Sequence, residues 1–234
     1  MTSLTGKRVL VTGGARGVGV AVCRTAKAAG AWVAAIDINE IPADAADSRF
    51  IGDLGDAEFC RSVLQQVGHI DVLVNAAGLL RPCRLDEMTI EQFDYAVAVN
   101  LRSVFQLCQG VVPGMVAQKW GRIINFSSVN ARTGGTTSAA YAAAKAGVIA
   151  LSKSIAKDVA KSGVTVNSVA PAAIDTELNS FLSPEARAKL ENDIPVGRFS
   201  TAQEFADIVM FLVGESAGFI TGATLDVNGG WVMV

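Results

Sequence analysis

A hydroxyl, a phenol and an ammonium occur together in the stretch Ser127 to Gly147, which reads SSVNARTGGTTSAAYAAAKAG. Tyr141 and Lys145 are four residues apart in an alanine-rich run that favours helix. At that spacing their side chains share one helical face. Ser128 stands 13 residues before Tyr141, at the end of a predicted strand over Arg122 to Ser127. The phenol can give or take a proton. Its ordinary pKa of ~10 makes it a weak base near neutrality, and a neighbouring ammonium favours the phenolate and lowers that value. A fall of about three units needs roughly 4 kcal/mol of differential interaction, which Lys145 and the positive charge of a cofactor would supply together. The same spacing also arises on a surface helix that carries an unrelated Tyr and Lys. The chemical reading therefore depends on a dinucleotide site elsewhere in the chain.

Such a site is written near the N-terminus. Arg8 to Thr12 is a short apolar strand that runs into GGARGVG and then a helix from Gly17 to Ala29, closed by Gly30. Strand, glycine turn and helix are the context a phosphate-binding loop requires. Gly13 permits the tight turn, Gly17 lets a pyrophosphate approach the backbone, and Gly19 lets helix and strand pack closely. The helix start offers free N–H groups to the phosphates. A second strand, Trp32 to Asp37, ends in a carboxylate 18 residues past Gly19. Asp37 can accept from the adenosine ribose hydroxyls and repels a 2′-phosphate, which argues for NAD over NADP. Arg16 argues the other way, since a guanidinium can meet a 2′-phosphate. Asp37 carries more weight, because a carboxylate facing a phosphate is penalised whatever lies opposite.

The remaining elements alternate. Arg49 to Asp53 is predicted as a third strand, ending in Asp53-Leu54, and Asp56 to Val67 as an amphipathic helix. Asp71 to Asn75 is the fourth strand, followed by small residues at Ala76 to Gly78. A loop, Leu79 to Met88, carries Arg81 and Arg84. Thr89 to Gln118 is a long helical stretch with Asn100 in its middle, where a buried Asn would mark a break. Val164 to Ala170 is the sixth strand, ending at Pro171. Ala172 to Ile194 is less regular and is placed over the substrate. Thr201 to Val213 is helical, and Thr224 to Val227 is the last strand. This alternation predicts an α/β fold: three layers, doubly wound, with a mostly parallel seven-stranded sheet and helices on both faces. Ligands then gather at the carboxyl ends of the strands, where Gly13, Asp37, Asp53, Asn75, Ser128 and Pro171 all fall.

The bulk properties fit one domain over residues 1–234. Half of the residues are hydrophobic, enough for a full core, and the net charge of −2 is spread without a basic arm. Nucleic-acid and membrane-surface partners are not expected. The N-terminus lacks a signal-peptide pattern, and no apolar run reaches about 18 residues. Cys23, Cys60, Cys83 and Cys108 form no CxxC pair and read as reduced thiols in a cytoplasmic protein. His69 is the only histidine, so no metal site is expected.

In order along the chain, TGGARGVG (with Gly13, Arg16, Gly17, Val18 and Gly19), Asp37, NAAG at Asn75, Ala76, Ala77 and Gly78, Asn100, Ser128, YAAAK at Tyr141 to Lys145, and PAAIDT at Pro171 to Thr176 resemble the short-chain dehydrogenase/reductase family over nearly the whole length. The resemblance implies a nicotinamide-dependent oxidoreductase acting on a secondary alcohol or its ketone. It implies Tyr141 as acid/base and Lys145 on the nicotinamide ribose. Ser128 would bond the substrate oxygen, and Asn100 would mark a kink whose free carbonyl holds a water. Asp53, with Leu54 beside it, would meet the adenine; Ile174 and Thr176, beyond Pro171, would meet the carboxamide. It also implies a homotetramer built on helices at about Leu101–Gln118 and Ala140–Lys161. The family usually has Pro-Gly where this chain has Pro171-Ala172, which puts the backbone beside the nicotinamide in question. For the substrate three classes stand open. One is a 3-oxoacyl thioester on an acyl carrier protein, with Lys119 and Arg122 as carrier contacts. Another is a cyclic dihydrodiol carboxylate, similar to 2,3-dihydro-2,3-dihydroxybenzoate. A sugar or polyol is the third. Arg81, Arg84 and Arg132 are candidate anion contacts. A non-catalytic dinucleotide sensor is the alternative outside enzymes.

Overall fold

A computed structural model describes residues 2–136, 139–176 and 182–233. Seven strands form one sheet in the order β3-β2-β1-β4-β5-β6-β7. They are β1 Arg8–Thr12, β2 Trp32–Asp37, β3 Ser48–Ile51, β4 Val72–Asn75, β5 Gly121–Phe126, β6 Val164–Pro171 and β7 Thr224–Val227. Every pairing is parallel, so the expected mostly parallel sheet is wholly parallel. The helices are α1 Gly17–Ala28, α2 Ala57–Val67, α3 Ile90–Val97, α4 Ser103–Ala117, α5 Asn130–Thr133, α6 Ala139–Val159, α7 Pro184–Asp193 and α8 Ala202–Val213.

Alternate strand residues feed two cores. Val9 and Val11 of β1 pack toward α1 and α8, with Val22, Phe205 and Val209. Leu10, between them, faces α2, α4 and α6, with Val63, Leu107 and Val148. Both faces of β1, β2, β4, β5 and β6 are buried, as a parallel sheet covered by crossover helices requires, while the edge strands β3 and β7 are partly exposed. The result is a three-layer, doubly wound α/β fold. Strand order reverses between β1 and β4, which opens a crevice at the carboxyl edge of the sheet.

One expectation changes. The stretch after Pro171 contains α7, a ten-residue helix with Ser183 as N-cap and Pro184 at its first position; residues 177–181 of that stretch lie outside the described residues. The break expected at Asn100 is present: a π-helical segment, Ala98–Arg102, interrupts the long helix, and the Ser103 N–H reaches back to the Ala98 carbonyl. Single-turn π insertions of this kind cluster at functional sites.

Candidate active site

One cleft runs along the carboxyl ends of β1 to β6. The first half is built by β1 and α1. The N-cap of α1 is Arg16, whose side chain makes no capping bond, and the first turn contains no acid. By contrast α2, α3, α7 and α8 are capped by Asp56, Thr89, Ser183 and Thr201. The α1 start therefore keeps N–H groups and a positive dipole end for an anion. Gly17 sits at φ +54, and a Cβ there would stand 3.1 Å from the Thr176 methyl, where the loops after β1 and β6 meet over the cleft. A Cβ on Gly19 would overlap the Gly13 carbonyl oxygen, so the close helix–strand packing assigned to Gly19 is present. These features fit a dinucleotide with its pyrophosphate on α1.

Asp37 ends β2 and lines the cleft with Arg16 and Val18. Its carboxylate also organises the backbone. One oxygen accepts from the Ala15 N–H at 3.0 Å, and the other from the Asn39 N–H at 2.9 Å. Asp53 and Leu54 line the same end. The Asp53 carboxylate accepts from the Gly55 N–H at 2.7 Å and from the Tyr95 hydroxyl at 2.9 Å. Ala76, Gly78, Pro171, Ile174 and Thr176 line the cleft toward Tyr141 and Lys145.

Asn75 sits differently from the cofactor contact expected of it. Its side chain is buried within the sheet and donates to the Asn125 Oδ1 at 2.8 Å, and Asn125 donates to the Ser152 hydroxyl at 2.9 Å. Asn75 thus ties β4 to β5 and α6 beneath the cleft, because its position in β4 directs the side chain toward the helix layer. The cleft wall at this point is the backbone of Ala76 to Gly78.

At the other end of the cleft, the end of β5 delivers Ser127 and Ser128 and α6 delivers Tyr141 and Lys145. The Ser127 hydroxyl donates to the Lys145 carbonyl at 2.8 Å, which fastens α6 to the strand end. Lys145 is 2 % exposed, its ammonium donates to the Phe126 carbonyl at 2.7 Å, and it lies 5.8 Å from the centre of the Tyr141 ring. Burial pulls the Lys145 ammonium down to about 8. Asn100, fully buried in the π segment, accepts from the Leu79 N–H and donates to the Leu79 and Ala96 carbonyls, each at 2.9 Å. It clamps the loop after β4 to the broken helix, beside Gly78.

The expected lowering of the Tyr141 pKa by Lys145 does not hold among the protein's own groups. Burial raises it, and a hydrogen bond from the Ser128 hydroxyl pulls it back only in part. The reason is geometric: the ammonium is turned to the Phe126 carbonyl instead of the phenol oxygen. The phenol is therefore held protonated near neutral pH, the state needed to deliver a proton.

Other expectations are corrected by position. Arg122 is 3 % exposed, donates to the carbonyls of Gly121 and Gly163, and cannot greet a carrier protein, whereas Lys119 is exposed. Arg132 pairs with Asp226 and Arg84 with Asp86; of the three arginines weighed as anion contacts, Arg81 lines the cleft. Ala172 is not among the residues with positive φ, so the replacement of the family's usual Gly carries no left-handed strain. Sequence reasoning missed Tyr95. Tyr95 and Tyr141 are the two tyrosines of the chain, and both line this cleft, but no motif in the sequence marks Tyr95.

The family model described as enoyl-(acyl carrier protein) reductase matches residues 13–232. The chain is 42% identical to a 3-oxoacyl-[acyl-carrier-protein] reductase of Escherichia coli, over 98% of each protein. It is 40% identical to the protein of that name in Haemophilus influenzae, over 97% of this chain and 98% of the relative. It is also 38% identical to nodulation protein G of Azospirillum brasilense, over 96% and 97%. The chain belongs to the short-chain dehydrogenase/reductase family. It is an NAD(P)-dependent oxidoreductase that acts on a CH–OH group or the corresponding ketone. As a member of this family it needs a nicotinamide cofactor, which supplies or accepts the hydride. The protein's part is position and proton traffic. Among the described residues no three His, Cys, Asp or Glu side chains are grouped to hold a metal ion, and His69 pairs with Asp71.

Proposed function

We propose that this dehydrogenase/reductase prefers NAD(H) and interconverts a secondary alcohol and its ketone, with Tyr141 as proton donor, Ser128 on the substrate oxygen, Lys145 on the nicotinamide ribose and Asn100 shaping the proton path. The observation that carries the reaction is the convergence of Ser128, Tyr141 and Lys145 where β5 meets α6, with the Ser128 hydroxyl bonded to the phenol. Asp37 supports NAD: buried at 8 %, it faces the cleft with both oxygens fixed by backbone donors, and a 2′-phosphate would meet that charge at close range. The proposed substrate is a 3-oxoacyl thioester, after the names of relatives that match nearly the whole chain. A second reading, a cyclic dihydrodiol carboxylate, is favoured by the burial of Arg122, which removes one of the two cations weighed as carrier-protein contacts.

A substrate panel with both cofactors, run in both directions, tests these readings. We expect kcat/KM with NADH to exceed that with NADPH by at least about tenfold, the size of one unfavourable charge contact. A clear NADPH preference would show that Arg16 governs the site. Turnover of a 3-oxoacyl thioester but not of a dihydrodiol carboxylate supports the first substrate reading, and the converse supports the second.

We read residues 1–234 as one domain that assembles as a homotetramer in the cytoplasm. Support for assembly comes from α4. Val104, Leu107 and Val111 are buried against the sheet, while Phe105 of the same helix is 46 % exposed. Light scattering at micromolar concentration is expected to give a mass of about four chains; a monomer would overturn this reading. All four cysteines are free, and among the described residues no helix is long and apolar enough to cross a membrane.

A further inference from the structure

The cleft has two ends, and Tyr141 fixes which is which. A dinucleotide with its nicotinamide beside Tyr141 and its pyrophosphate on α1 must place its adenosine beyond Asp37, at the carboxyl ends of β2 and β3. There the wall is made by Ile38, Gly52, Asp53 and Leu54, with Tyr95 reaching in from α3. Among the described residues, Asp53 is the one carboxylate on this part of the wall. An ionised carboxylate only accepts hydrogen bonds, so it selects the adenine edge that carries the 6-amino donor.

Aiming a carboxylate needs support, and here each oxygen has one protein donor. The Gly55 N–H holds Oδ1 at 2.7 Å and the Tyr95 hydroxyl holds Oδ2 at 2.9 Å. A second lone pair on each oxygen stays available to a ligand. The Tyr95 ring is held in turn. A Cβ on Gly55 would stand 2.8 Å from Tyr95 Cε2, so the ring lies flush on that glycine. The Arg81 guanidinium sits 5.5 Å from the ring centre. Burial and the contact with Asp53 raise the Tyr95 pKa, which keeps its hydroxyl a donor throughout the working range.

We propose that Tyr95 is a positioning residue for base recognition: through its hydroxyl it fixes Asp53 so that the cleft takes an adenine dinucleotide and rejects one whose base carries an oxygen at position 6. This rests on the assignment of Asp53 to the adenine. The other partner on Asp53, the Gly55 N–H, can be removed only by proline, which would also disturb the turn, so Tyr95 is the half of the arrangement that can be changed cleanly.

The test compares dissociation constants for the preferred reduced cofactor, NADH or NADPH, and its hypoxanthine counterpart, by fluorescence titration of the full-length protein. The parent is expected to bind the adenine form at least about tenfold better, the scale of one hydrogen bond to a charged group. In Tyr95→Phe the ring still covers Gly55, so a structural role alone would leave that ratio unchanged. We expect the ratio to fall to about threefold or less. Asp53→Asn, whose amide also presents a donor, is expected to lose the preference altogether. If Asp53→Asn keeps the parent's ratio, the adenine assignment of Asp53 is wrong and the proposal falls with it. If Asp53→Asn loses the ratio while Tyr95→Phe keeps it, the role of Tyr95 alone is overturned.

Discussion

Tyr141→Phe is expected to lower turnover by at least about a hundredfold, the usual consequence of losing a general acid or base. The substitution keeps the ring against the cleft wall and removes only the hydroxyl and its bond with Ser128, so the fold and cofactor affinity are expected to stay near those of the parent. The direction of the Tyr141 shift adds a pH signature. Burial raises this pKa, so the phenol is protonated near neutrality. Ketone reduction consumes that proton and is expected to hold its rate as pH rises until the phenol titrates. Alcohol oxidation needs the phenolate and is expected to climb with pH over the same range. Ser128→Ala removes one hydrogen bond at the oxygen where charge develops and is expected to cut turnover by about a hundredfold with little change in cofactor affinity. A Tyr141→Phe variant that kept most of its activity would move the proton transfer to another group.

The parts of this site that could be read from the sequence are those in which backbone and chemistry demand the same residue. Gly17 and Gly19 are required by a left-handed φ and by contact with the Gly13 carbonyl, so the loop is legible without coordinates. Tyr141 and Lys145 are legible because helical spacing alone puts them on one face. The strands could be placed to within about two residues because the central ones are short, mostly apolar runs buried on both faces. What stayed hidden depends on where a side chain points. Asn75 lies at a strand end like Asp37, yet its amide turns under the sheet to Asn125, whereas the Asp37 carboxylate turns to the cleft. Arg122 reads as a surface cation until its packing on Trp120, 4.5 Å away, and its bonds to two carbonyls are seen. Helix α7 carries a start signal at Ser183-Pro184 but no periodic apolar face, because its composition is mostly polar. Tyr95 was hidden by distance, because 42 residues separate it from Asp53.

These differences meet at Lys145, where the sequence reading held for placement and failed for electrostatics. The ammonium is in reach of the phenol's helix face but bonded to Phe126, and its burial has a cost that can be measured. Its pKa falls from 10.5 to about 8. Between those values the unfolded chain binds the proton more tightly than the folded one, so folding stability rises with pH through that window. Below about pH 8 the full penalty is present, and by pH 10.5 it is relieved. A depression of this size corresponds to roughly 3 kcal/mol. Lys145→Met replaces the charge with an apolar chain of similar length, and the backbone tie from Ser127 to the residue 145 carbonyl remains. Opposing this gain, the Phe126 carbonyl loses its donor, at about 1–3 kcal/mol. Near pH 7 the two terms nearly cancel, and denaturant unfolding is expected to find parent and variant of similar stability. Near pH 10 the parent is expected to be the more stable by roughly 3 kcal/mol, because only the parent gains from deprotonation. Turnover should fall by at least about a hundredfold, together with a loss of cofactor affinity, since the same ammonium is assigned to the ribose and to the proton path. A stability difference that stayed flat from pH 7 to 10 would mean that Lys145 keeps its proton in the folded protein. An unchanged turnover would remove it from the catalytic set, leaving a buried cation retained against its own desolvation with no reaction to explain it.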